Sequence, residues 1–160
     1  QAWAGVAAIV GGVLNGVRLA GWRTIATRRH PILWVLHLGY AWLALGLVLS
    51  GVSAFVPTWL PTAPLHALTV GAISVMVLGM MSRVSLGHTG RLLEVGRVTV
   101  LGYVLLGTAA AVRALGPLLL PSEYRAEMLV SGVLFTCAFG LFVVTYLPIL
   151  TAPRVDGKPG

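Results

Sequence analysis

Two histidines and an arginine bracket and interrupt an otherwise apolar run, residues 65–91, LHALTVGAISVMVLGMMSRVSLGHTGR. The run is long enough to cross a bilayer, and an ionisable group at membrane depth costs about 2.5–3.5 kcal/mol at the centre, so each one is a functional hypothesis. In alternating steps of three and four, His66, Thr69, Ile73, Met76, Met80, Arg83 and Gly87 fall on one stripe, and the opposite side is largely Val, Leu and Ala. That stripe is expected to look into protein or a cofactor. Thioethers and imidazoles are ligands for Cu(I) or haem iron, which makes His66, Met76 and Met80 the candidate metal-binding residues. The competing reading has the two methionines filling gaps in a helical core. His66 and His88 are 22 residues apart. At about 1.5 Å per residue they stand roughly 33 Å apart on opposite sides of a membrane and are expected to serve separate sites.

A second constellation is HLGYAW, with His37, Tyr40 and Trp42. A helix beginning near Pro31 carries His37 about 9 Å inward, and Arg83 lies about 6 Å inward from Gly87 on the same side. At such similar depths an imidazole and a guanidinium could share an anionic ligand such as a carboxylate, which arginine binds with two parallel hydrogen bonds. His37, Tyr40, Arg83 and His88 are therefore the candidate cofactor-binding residues. The alternative has Arg83 snorkelling to headgroups and His37 bonded to a neighbouring carbonyl. On the other side, Arg113 is expected to approach the level of His66, while His30 follows Arg28 and Arg29 at the surface.

The elements that must position these groups are membrane-crossing helices. Hydrophobic residues make up 58% of the 160 residues and charged residues 9%, against about 25% charged in a soluble domain. Residues 32–56, 65–87, 96–120 and 127–150 each satisfy the length rule. Residues 2–20 do so less well, being interrupted by Gly11, Gly12, Asn15 and Gly16. The expected fold is one all-α polytopic bundle of about five crossings with a polar tail, 151–160. Prolines 57, 61 and 64 mark an outer turn with Trp59; Pro117 and Pro121 are expected to end the fourth helix, and Pro148 and Pro153 the fifth. Gly39, Gly46, Gly71, Gly79, Gly102 and Gly107 permit close helix approach.

The net charge of +7 follows topology. Nine of the eleven basic residues fall on alternate loops: Arg18, Arg23, Arg28 and Arg29, then Arg83, Arg91 and Arg97, then Arg154 and Lys158. That bias places those loops and the C-terminus in the cytoplasm and argues against nucleic acid as a partner, with the lipid bilayer as the first partner. Cys137 is the only cysteine, so there is no internal disulfide and no paired-cysteine metal motif. No carboxylate lies deep in an apolar segment, which counts against a carboxylate-driven carrier. Neither a glycine-rich phosphate loop nor a Ser-His-Asp spacing is present.

HPILWVLHLGYAWLALGL, HALTVGAISVMVLGMMSRVSLGHTGR and YLPILTAPRVDGKPG together resemble the C-terminal part of the NnrS family, over residues 30–97 and 139–160. The resemblance implies a bacterial inner-membrane protein containing haem and copper and linked to nitric oxide metabolism, denitrification and protection against nitrosative stress. It attaches no reaction. It implies that His37, His66, Arg83 and His88 match family-characteristic positions. Members also carry a His-rich stretch in an N-terminal half that nothing here matches, and the chain opens on Gln1 without an initiator Met. Further ligands are then expected from that half, another copy or a larger membrane complex. A metal-free accessory or assembly subunit and a small-solute channel or carrier are the alternative readings.

Overall fold

A computed structural model describes residues 2–56 and 62–157. Pro57, Trp59, Pro61 and Lys158, assigned above to the outer turn and the tail, lie outside them. The fold is all-α, with no strand among the described residues. Five helices are long and apolar enough to cross a membrane: α1 (Ala2–Gly21), α2 (Pro31–Ser53), α3 (Ala63–His88), α4 (Arg97–Leu119) and α5 (Tyr124–Thr151).

Local chemistry sets most of the ends. Pro31 opens α2, where its missing N–H is one that no helix bonds anyway. At the end of α3, Gly90 takes a left-handed φ of 72°. Its N–H donates to the Gly87 carbonyl and that of Arg91 to the Leu86 carbonyl, which closes the helix as a Schellman motif. Two prolines do not act as the sequence suggested. The helices α4 and α5 run through Pro117 and Pro148 to Leu119 and Thr151. Each proline lies near its helix end, where few backbone bonds are left to lose, and bilayer helices tolerate proline more readily than soluble ones.

The central element is α3, which packs against α2, α4 and α5, whereas α1 lies along α2 alone. Small residues set these crossings, since helices in lipid associate by close packing. A Cβ added at Gly39 would stand 2.6 Å from Met76 Cγ, and one at Gly71 2.6 Å from Trp42 Cγ. The buried core, from Val35, Val75, Leu78, Tyr103, Leu106 and Tyr146, is gathered around α3. Within α3, residues Ala67–Ile73 form a π-helix. The Ser74 hydroxyl donates to the Thr69 carbonyl and that of Thr69 to the Leu65 carbonyl, partly repairing the altered ladder.

Candidate cofactor site at the basic end

The site begins with a reversal of the chain. After α1, Arg23 takes left-handed backbone angles (φ 52°, ψ 48°), alone among the described non-glycine residues. Such a conformation costs about 1–3 kcal/mol and clusters at functional sites. The turn leads into a 3-10 segment, Thr24–Arg29, and folds Trp22 back on α2. The indole sits 4.5 Å from the Tyr40 ring and 5.6 Å from the His37 ring, centroid to centroid. The Arg18 guanidinium lies 5.7 Å from the indole centroid, within cation–π range.

Hydrogen bonds fix the two α2 side chains. The Tyr40 hydroxyl donates to Asn15 Oδ1 at 2.5 Å, and Asn15 Nδ2 donates to the Gly11 carbonyl at 2.7 Å. His37 Nδ1 and Thr24 Oγ1 share a hydrogen bond of 3.1 Å. With Nδ1 engaged, Nε2 has no hydrogen-bond partner among the described residues, the arrangement in which an imidazole serves as a metal ligand. Asn15, Arg18, Trp22 and Thr24 were not singled out from the sequence as members of this site. Asn15 carried a usable signal, as a polar amide within an apolar span.

Arg83 is half-buried on α3, one turn beyond Gly79, whose backbone abuts Val35 and Leu36 of α2. It has no hydrogen bond or ion pair with any described residue, and His37 turns instead to the α1 side. No hydrogen bond or ring contact joins the two among the described residues. His88 is exposed at the end of α3, opposite His66 on one continuous helix, so these two histidines do lie at separate ends.

The α3 stripe does not face inward along its whole length, as the sequence suggested. Thr69, Ile73, Met80 and Gly87 are exposed, His66, Met76 and Arg83 half-buried, while Ala67, Gly71, Val75, Leu78, Ser82 and Ser85 form the inward face. Close approach favours small residues on the packed side, and the π segment shifts register, so His66 does not continue the line of Met76 and Met80. Met76 fills space against Gly39. One ion held by His66, Met76 and Met80 together does not fit, because His66 and Met76 stand about 15 Å apart along the axis. Among the described residues no three His, Cys, Asp or Glu side chains converge on one metal position.

At the opposite end, Arg113 of α4 lies within electrostatic range of His66 and 5.9 Å from the Tyr124 ring centroid. Glu127 is buried against Gly116, and neither carboxylate oxygen has a hydrogen-bond partner among the described residues. The tail is tied to the basic end: the Val155 N–H donates to the Thr89 carbonyl at 3.2 Å, and Arg154 donates twice to Asp156, at 2.9 and 2.6 Å. That hydrogen bonding holds the Arg154 guanidinium pKa above its ordinary value.

No curated protein and no solved structure matches the chain. The family model described as NnrS protein matches residues 1–154. With nearly its whole length covered, and five membrane-length helices in which the motif residues sit, the chain belongs to the NnrS family.

Proposed function

We propose that this chain is part of a bacterial inner-membrane protein that holds haem at the basic end of its bundle and acts in nitric oxide metabolism or resistance to nitrosative stress. The observation that carries the reading is His37, anchored through Nδ1 to Thr24 and offering Nε2 for ligation. Bound there, haem would supply an iron that takes nitric oxide. The chain's own part is positional. Thr24 sets the imidazole, Trp22 and Tyr40 wall it with aromatic surface, and Arg18 supplies a guanidinium group for a carboxylate. The nine-to-two partition of basic residues supports a cytoplasmic position for this end and for the C-terminus. Among the described residues no cluster of His, Cys, Asp or Glu offers copper a shared donor set.

The visible spectrum and haem content of the purified protein test this reading. The wild type should show a Soret band, His37→Ala should lose most of it, Thr24→Val should weaken it, and His66→Ala should keep it. Unchanged haem in His37→Ala overturns the assignment. The outward stripe of Thr69, Ile73 and Met80 favours a second reading, an accessory subunit packed against a larger membrane complex. A colourless preparation that co-purifies with such a complex would support that one.

A further inference from the structure

Helices α2 and α4 both pack on α3 but scarcely touch each other. Between them runs a lateral groove of about 470 Å³, walled by Trp34, Leu38, Trp42 and Leu45 from α2 and by Val104 and Gly107 from α4. Thr108 is its one polar side chain. At the basic end the same two chain segments enclose a second cleft of about 280 Å³. Arg29, His30 and Ile32 form one side of it, and Leu93, Glu94 and Val95, just before α4, form the other. Trp34 at the head of the groove lies within about a turn of Ile32 in the cleft. A polar cleft carrying Arg29, His30 and Glu94 thus lies beyond the Trp34 end of the apolar groove along α2.

We propose that this groove and cleft form one site for a membrane glycerophospholipid with an anionic headgroup. One acyl chain lies along the groove, and the phosphate sits at Arg29 and His30. Any lateral groove in a membrane span is bathed in lipid, and the charge at its mouth decides which lipid stays. Basic pockets between helices are recognised sites for anionic headgroups, each Lys or Arg near the surface adding about fivefold in occupancy. Glu94 opposes Arg29 within the cleft but is exposed and screened, and Arg28, beside Arg29 in the chain and outside the cleft lining, adds a second positive charge at this end. A transmembrane helix is a poorer occupant. Such interfaces favour small residues on both sides; the α4 wall has them, but the α2 wall presents two tryptophans and two leucines.

Trp34 and Trp42 serve as built-in reporters, once Trp3, Trp22 and Trp59 are replaced by Phe. The protein is reconstituted in phosphatidylcholine vesicles with rising fractions of phosphatidylglycerol brominated on its acyl chains, or with brominated phosphatidylcholine instead. Brominated phosphatidylglycerol should reach half-quenching at a mole fraction about fivefold lower than brominated phosphatidylcholine. Arg29→Gln with His30→Gln should erase that difference. Ala111 and Ala41 also line the groove, from α4 and α2; Ala111→Phe or Ala41→Phe should fill it and reduce quenching by both lipids, in protein that remains monodisperse on gel filtration. Equal quenching by the two lipids at every fraction overturns the proposal, and so does quenching that survives both filling variants. Absence of quenching by either lipid would mean that a protein segment covers the groove, and overturns it equally.

Discussion

The Tyr40 hydroxyl of α2 donates to the Asn15 side-chain oxygen of α1, joining the two helices at the depth of the His37 ring. Such interhelical bonds in membrane proteins contribute about 0.6 kcal/mol on average. Tyr40→Phe and Asn15→Ala should each destabilise modestly. The double variant should cost less than their sum by about that amount. Reversible unfolding of the four proteins in mixed micelles measures it, and strict additivity would mean that the bond contributes nothing.

Close packing of α1 on α2 depends on Gly12. A Cβ there would meet Val48 Cγ2 at 2.6 Å, the Ala44 carbonyl at 2.8 Å and the Val48 nitrogen at 2.8 Å. Two of these are backbone atoms that cannot rotate away. Gly12→Ala should cost about 1–3 kcal/mol as overpacking and should disturb the Trp22 stack. A loss of stability with a shift in Trp22 emission, read in a variant lacking the other four tryptophans, is the expected result.

Glu127 offers the opposite sign. Its buried carboxylate has no hydrogen-bond partner among the described residues, and charge buried in that way is costly. Glu127→Gln should therefore leave the melting temperature unchanged or raise it. A clear fall would reveal a partner that depends on the carboxylate.

The Arg154–Asp156 pair lies in the tail, against the end of α3. Asp156→Ala should lower the melting temperature only slightly, since its carboxylate also stands against Gly90 at the end of α3 while the ion pair itself is partly exposed. It should free the backbone around Arg154 and speed tryptic cleavage there, which timed digestion followed by mass spectrometry would read.

The five crossings were legible because apolar length is a strong signal and the bilayer permits few alternatives. Even the glycine-interrupted first run forms a full helix, because Gly5 and Gly12 are its contacts with α2 rather than its breaks. The His37 environment was legible only in part. Its depth followed from counting, but its partners depend on the left-handed turn at Arg23, which no hydropathy pattern announces. The orientation of α3 was not legible. A uniform helical period was assumed, and the π segment breaks that uniformity. Sulfur and polarity suggested an inward face, while the small side chains that permit contact determined the packing.

That π segment makes α3 a shaft with a coupling in it. Its surplus of about one residue turns the outer end relative to the inner by roughly 100°, the angle one residue subtends in a regular helix. The bearing of His66 can thus be reset by deleting a single residue from Ala67–Ile73, without moving the Gly79 contact with Val35 or the Schellman turn at Gly90. The two ends of the span are free to be tuned separately, each by its own mutations, while still sharing one rigid rod through the membrane.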